Sequence, residues 1–182
     1  GGKSALMAAS VGAAGQVLAL DRSPRAIRRL SEATSRLGLA SVRTALYDAR
    51  EAGGAWPSRF PRVLLDAPCS GLGTIRRRPE IKWRRRPEDL GRAAALQADL
   101  LAGVAGAVAP GGLLVYSTCS LEPEETDEVI AAFLRGHPGF ALEAPGPGLR
   151  DFADPDAAGV LRTWPHRHDT DGFFVARLRR GM

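Results

Sequence analysis

Cysteine is scarce: Cys69 and Cys119 are the two thiols in 182 residues. That is too few for a disulfide scaffold, and the pair lacks the clustered spacing of a zinc site. Histidine does not make up the shortfall. His166 and His168 look like a metal pair only superficially, because no nearby Cys or His completes a set, so no metal is expected. Long apolar runs are missing as well. Nothing approaches the roughly 20 apolar residues of a membrane span, and the first residues have neither the charged start nor the apolar stretch of a secretory signal. The chain reads as cytoplasmic, without a membrane partner, and its thiols call for a chemical or a packing explanation. Acidic residues are outnumbered, 20 Asp and Glu against 25 Lys and Arg, for a net charge of +5 and a pI near 10.0. Such a balance favours a polyanionic partner, since neutralising a phosphate backbone releases its counterions.

At 45% hydrophobic and 25% charged, residues 1–182 suit one globular α/β domain. No strand precedes the turn Gly1-Gly2-Lys3-Ser4, although a glycine turn entering a helix normally follows a buried strand, so the chain is expected to start inside a domain. Gln16 to Leu20, ending at Asp21, predicts a buried parallel strand. A helix follows, capped by Ser23, with Pro24 in its first turn, Ile27, Leu30, Thr34 and Leu37 on one face, and Gly38 as its stop. Val42 to Tyr47, ending at Asp48, and Arg62 to Leu65, ending at Asp66, predict two more strands. After a long polar loop, Leu96, Leu100, Val104 and Val108 recur every fourth residue, predicting a helix on a sheet that Pro110-Gly111-Gly112 ends. Leu113 to Tyr116 is the next strand, with Ser117-Thr118-Cys119-Ser120 at its end. Glu122, Glu124 and Glu125 then suit the dipole of a helix start, with Val129, Ile130, Phe133 and Leu134 facing inward. Residues 138–156 read as a loop with at most one short strand, and Phe173 to Leu178 as the last strand.

Ligands of open parallel sheets bind beyond the carboxyl ends of the strands, where Asp21, Asp48 and Asp66 stand. Asp21 follows the glycine turn by about twenty residues, the spacing of a carboxylate that accepts from ribose hydroxyls, and Asp48 is placed to meet an adenine. One alternative takes Gly2-Lys3-Ser4 as the tail of a P-loop and Val63-Leu64-Leu65-Asp66 as the magnesium strand of a nucleotide hydrolase. That reading leaves Asp66-Ala67-Pro68-Cys69-Ser70-Gly71 and Cys119 without work. If the strands ending at Asp66 and Thr118 are neighbours, both thiols enter one crevice. A thiolate adds to an electron-poor carbon and is later expelled, which divides one hard substitution into two easier steps. Cytosine is such a target, because its C5 is a poor nucleophile until a thiolate has added at C6. Arg76, Arg77, Arg78, Lys82, Arg84, Arg85 and Arg86, with Trp83 among them, follow the Cys69 loop and suit contact with RNA phosphates and stacking on a base. A noncatalytic RNA-binding module is the third reading.

Asp66-Ala67-Pro68-Cys69-Ser70-Gly71 together with Ser117-Thr118-Cys119-Ser120 resembles the Sun/Nop2-type RNA cytosine-C5 methyltransferases, and the similarity runs from Gly1-Gly2-Lys3 to Asp171-Gly172-Phe173-Phe174. The resemblance implies a Rossmann-like methyltransferase fold with a mostly parallel sheet, an antiparallel last strand, and the family's first strand not included in this chain. It implies S-adenosylmethionine as cofactor and RNA as substrate. Cys119 would be the nucleophile on C6, Cys69 would assist release, and Asp66 would hold the cytosine edge near the methyl donor. Gly1, Gly2, Lys3, Asp21, Asp48 and Asp66 would line the cofactor pocket, with Asp21 on the ribose. Within the family, the bacterial B-type branch acting on 16S ribosomal RNA is the most similar. The family often has Asn after Glu-Glu where this chain has Thr126 and Asp127.

Overall fold

Helix, strand, helix, strand is the order of the first fifty-one residues in the computed structural model, which describes residues 1–12 and 14–182. The chain divides into two compact units, Gly1–Glu51 and Ala52–Met182. In the first, α1 spans Gly2–Val11, β1 Val17–Asp21, α2 Pro24–Arg36 and β2 Val42–Leu46. The start of α2 follows its capping chemistry: Ser23 Oγ accepts the Ala26 N–H at 3.3 Å, and Pro24 occupies the first turn, where a missing N–H breaks no helical bond. Gly38, at φ 66°, takes the chain out of the helix. Thr34 is buried on the inward stripe because its hydroxyl lies 3.0 Å from the Leu30 and Ser31 carbonyls. Leu37, expected on that stripe, is 55% exposed, since the helix closes at Arg36 and the next residue no longer follows the helical period. β1 and β2 pair in parallel, from Val17 against Val42 to Asp21 against Leu46.

The second unit contains α3 (Ala52–Ala55), β3 (Phe60–Asp66), α4 (Ile81–Arg84), α5 (Pro87–Ala105), β4 (Val108–Thr118), α6 (Asp127–Gly136), β5 (Phe140–Leu142), β6 (Val160–Thr163), α7 (Pro165–His168) and β7 (Phe173–Arg180). Its sheet runs in the order β3-β4-β7-β5, with β6 also on β7. β3 is parallel to β4, while β7 is antiparallel to β4, β5 and β6. Four strands therefore point one way and the last strand runs against them, as expected of the Rossmann-like methyltransferase fold. Leu114, Tyr116 and Thr118 of β4 stand opposite Leu178, Ala176 and Phe174 of β7, and all six are fully buried. Alternation along a strand puts these residues on one face. Leu101 and Val104 of α5 and Val129, Ile130 and Phe133 of α6 are buried with them.

Several elements depart from the sequence pattern, among them the short helices α3 and α7, which it does not show. α5 ends at Ala105, and Val108 opens β4 instead of closing the helical stripe. Pro110-Gly111-Gly112 thus lies inside a bulged strand, where the partner of β4 moves from Phe60 at Val108 to Arg62 at Leu113. Gly111 adopts φ 68°, and a Cβ on Gly112 would stand 2.7 Å from the Ala109 carbonyl oxygen, so the turn requires glycine. The polar loop before α5 contains α4, and α5 begins as early as Pro87, with the Arg86 N–H donating to Asp89 Oδ2 at 3.0 Å. β6 has no counterpart in the sequence reading; a four-residue strand carries too short an alternation to stand out. Glu125 is not a surface acid at a helix start but is fully buried. Among the described residues no helix is long and apolar enough to cross a membrane.

Leu114→Ala should cost about 3 kcal/mol in denaturant unfolding, because it empties a fully buried position of the central strand. Leu37→Ala should change stability by less than about 0.5 kcal/mol. Equal costs at the two sites would contradict this assignment of the core.

Candidate active site

β3 and β4 leave their sheet side by side. Asp66 is in register with Ser117, and the ladder continues one residue further, with the Ala67 N–H donating to the Ser117 carbonyl at 2.9 Å. Two parallel neighbours necessarily present their carboxyl ends together, which places the Cys69 loop beside Cys119. The two Sγ atoms stand 3.0 Å apart without a disulfide, and both residues are half-buried. The hydrogen bond with Cys119, then burial, then the charge of Cys119 push the Cys69 thiol far above its ordinary range. Two thiolates at this separation repel strongly, so the pair retains a proton. Asp66 is exposed at the strand end, and its Oδ1 accepts the Ser117 hydroxyl at 3.1 Å.

The loop carrying Cys69 is fastened on both sides of the thiol. Gln97 of α5 donates one amide N–H to the Pro68 carbonyl at 2.9 Å and the other to Glu125 Oε1 at 3.0 Å. Glu125 also accepts the Ser70 N–H at 2.8 Å and the Ser70 hydroxyl at 2.5 Å. The Ser70 carbonyl accepts Arg85 Nε–H at 2.7 Å. The Tyr116 hydroxyl lies 3.0 Å from Gln97 Oε1 and 2.8 Å from the Glu125 carbonyl, and its burial raises its pKa well above the ordinary phenol range. Beyond the loop, the Gly73 N–H donates to the Cys119 carbonyl at 3.0 Å, while the Gly73 carbonyl accepts the Gly172 N–H at 2.7 Å. A Cβ on Gly73 would come 2.2 Å from the Gly172 oxygen, so only glycine allows this approach.

The seven cations after the loop do not form one uniform surface. Arg76 pairs with Asp169 at 2.6 Å, Arg77 holds Asp171 with Nε at 2.7 Å and a second guanidinium nitrogen, and Arg85 is spent on Ser70. All seven are exposed, Arg78, Lys82, Arg84 and Arg86 being outside these bonds, and Trp83 is 80% exposed with Lys82 Nζ 4.9 Å from its ring centroid. His168 Nδ1 accepts the Trp164 N–H at 2.8 Å, a local turn bond.

In the first unit, Gly1 caps α1, and Gly2 and Lys3 begin it. Asp21 ends β1, is exposed, and accepts the Ser23 N–H on Oδ1 at 2.7 Å. Asp48 lies two residues past the end of β2, at the same end of the parallel pair. Arg50 bonds both its carboxylate oxygens, through Nε at 3.1 Å and through a terminal nitrogen at 2.6 Å, and these bonds hold Asp48 down at about 2. The structure thus groups Cys69, Cys119 and Asp66 in one unit and the glycine turn, Asp21 and Asp48 in the other. Sequence reasoning missed Glu125, Gln97, Tyr116, Ser70 and Gly73. The available signal was a glutamine and a tyrosine inside otherwise apolar segments.

The family model described as 16S rRNA methyltransferase RsmB/F matches residues 1–179. The probable ribosomal RNA small subunit methyltransferase B of Bacillus subtilis is 41% identical over 186 residues, covering 99% of this chain and 41% of that protein. Among solved structures, PH0851 is 38% identical with a TM-score of 0.85, covering 91% of this chain and 37% of that one. NSun6 from Pyrococcus horikoshii, solved with SFG, is 31% identical with a TM-score of 0.81, covering 100% of this chain and 46% of that one. The chain spans about two fifths of the length of the curated relatives it matches.

Arg77 holds the buried Asp171 carboxyl below its ordinary range, outweighing the burial that acts the other way. A depressed folded-state value contributes stability that is fully present above the unfolded pKa, roughly 3.9, and is lost as pH falls through the folded value. In Arg77→Ala, Asp171 should titrate higher and acid unfolding should begin at higher pH, as followed by circular dichroism. An unchanged acid limb would show that the pair does not hold this loop.

Proposed function

Since the chain belongs to the RsmB/F family of 16S rRNA methyltransferases, we propose that the protein methylates C5 of a cytosine in RNA, with 16S ribosomal RNA as the leading candidate. In this reading Cys119 is the nucleophile, Cys69 assists release, and the methyl comes from S-adenosylmethionine. The observation that carries it is the 3.0 Å approach of two thiols at the ends of adjacent parallel strands. The bound cofactor would supply an electrophilic methyl group. Its ribose suits Asp21, an exposed carboxylate at a strand end beside the first turn of α2. Gly1, Gly2 and Lys3 at the start of α1 suit the same pocket, whereas Asp48 serves it only if a ligand competes with Arg50. A relative solved with SFG, an analogue of S-adenosylmethionine, supports the choice of cofactor.

Attack by the Cys119 thiolate forms the carbon–sulfur bond at C6 and moves the ring electron pair toward C5, which becomes nucleophilic and takes the methyl. Once Cys69 has given its proton to solvent, its thiolate would take the C5 proton; the C–H pair returns to the ring, the carbon–sulfur bond breaks and the Cys119 thiolate is regenerated. The sulfur pair suits a division of labour. While Cys119 carries charge, Cys69 keeps its proton. Once Cys119 is a thioether, the two causes that arise from it are gone, and Cys69 becomes more able to exchange a proton beside the departing sulfur. Asp66 is exposed at the same strand end, which suits the proposed role of accepting from the amino edge of the cytosine.

In the complete protein, Cys119→Ala should abolish methyl transfer to a small-subunit ribosomal RNA fragment. Cys69→Ala should instead accumulate an RNA adduct that survives denaturing electrophoresis and disappears when Cys119 is also changed. Full methyl transfer by Cys119→Ala would overturn the reading. Exposed Arg78, Arg84 and Arg86 are proposed phosphate contacts, so neutralising them together should weaken RNA binding and reduce the slope of log K against log salt by about one for each phosphate no longer neutralised. An unchanged slope would make the segment a solvated surface.

A further inference from the structure

Burying a carboxylate is strongly unfavourable unless donors replace its lost water. Glu125 is 0% exposed, and its carboxylate partners are the Ser70 N–H, the Ser70 hydroxyl and the Gln97 amide, all neutral. Two of the three belong to the residue that follows Cys69. The second Gln97 N–H goes to the carbonyl of Pro68, the residue that precedes Cys69. One buried pair, Glu125 with Gln97, therefore grips the backbone on both sides of a single thiol. The pair touches the Cys119 strand less directly, through the Tyr116 hydroxyl and through the Ser70 hydroxyl 3.5 Å from that of Ser120, and the backbone of that strand is held by other bonds. Cys119 follows β4, whose Ser117 and Thr118 are locked against Val175 and Phe174 of β7, and its carbonyl is held by Gly73. The helix-dipole role does not account for Glu125, because α6 starts two residues later and the carboxylate is committed to Ser70 and Gln97.

We infer that Glu125 is a positioning residue for the release half of the reaction: through Ser70 it sets where Cys69 Sγ stands relative to Cys119 Sγ. The inference rests on the proposed roles of the two thiols. Attack needs only Cys119 aimed at C6, whereas release needs Cys69 within reach of the reacting centre. A displacement of about 1 Å at a reacting group slows its step on the order of 100-fold. Loosening the Cys69 loop while leaving β4 intact therefore separates the two halves, and the covalent adduct accumulates between them.

The test compares Glu125→Ala, Glu125→Gln and Cys69→Ala in the complete protein with a small-subunit ribosomal RNA fragment and S-adenosylmethionine. Glu125→Ala should lower kcat by about 10- to 100-fold with KM for RNA nearly unchanged, and should raise the fraction of protein in the denaturation-resistant adduct. Glu125→Gln retains an acceptor for the Ser70 and Gln97 N–H groups, and the Ser70 hydroxyl can rotate to accept, so it should restore most of the turnover. A readout without cofactor or RNA is the alkylation of Cys69 by iodoacetamide in a Cys119→Ala background, which should quicken several-fold when Glu125→Ala is added. Should Glu125→Ala not fold, Ser70→Ala removes the hydroxyl link to Glu125, together with that hydroxyl's bonds to the Leu72 N–H at 3.3 Å and the Ser120 hydroxyl at 3.5 Å, and must move adduct and alkylation in the same direction. Wild-type adduct levels in Glu125→Ala or, failing that, in Ser70→Ala, while Cys69→Ala traps RNA, would overturn the positioning role. Absence of an adduct in Cys69→Ala would instead overturn the reading on which it rests.

Discussion

The parallel ladder between β3 and β4 governs everything at the thiol site. Side chains alternate along a strand, so a slip of one residue in this ladder would exchange its inward and outward sets and separate the two motifs at its end. With Asp66 opposite Ser117, the loop carrying Cys69 and the strand end carrying Cys119 emerge together. The register is secured by burial on the neighbouring side. Leu114, Tyr116 and Thr118 can lie inside only if they match Leu178, Ala176 and Phe174 of β7. The antiparallel last strand thus aligns the strand that aligns the site.

A polar core lies directly beneath that register. Tyr116, Gln97 and Glu125 are fully buried, and they bond one another, the Pro68 carbonyl and the Ser70 N–H and hydroxyl. Such networks contribute little net stability compared with an apolar core, but they are directional, and an unpaired member is costly. Their value here is aim: a loop between a strand and a short helix would otherwise sample many conformations, and this one is tied at Pro68 and at Ser70. The Gly73 approach to the Cys119 and Gly172 carbonyls closes the same loop from its far side.

Charge is similarly divided between structure and surface. Three arginines of the basic segment bond the 169–171 turn and Ser70 while staying exposed, which ties the segment to the site. The exposed cations and Trp83 remain on the outer side, where the proposed RNA contact would draw its salt dependence.

Residue identity alone determined the order of the main strands, the capped helix at Ser23 and Pro24, the clustering of chemistry at strand ends, and the family resemblance carried by the two cysteine motifs. These are local signals, written in periodicity, caps and contiguous motifs, and they survive without knowledge of distant contacts. The tertiary structure decided the rest. Val108 continued a helical period by coincidence yet joined β4, because its pairing with Phe60 is a contact that no local window contains. Glu125 read as a helix-start acid until folding brought Ser70, fifty-five positions away in sequence, within 2.8 Å of it. Arg77 and Arg85 read as members of a phosphate-binding run, and folding gives each a second, structural partner in Asp171 and the Ser70 carbonyl. In each case the deciding partner is remote in the chain, and a charge or an apolar side chain takes its role from the neighbour that folding provides.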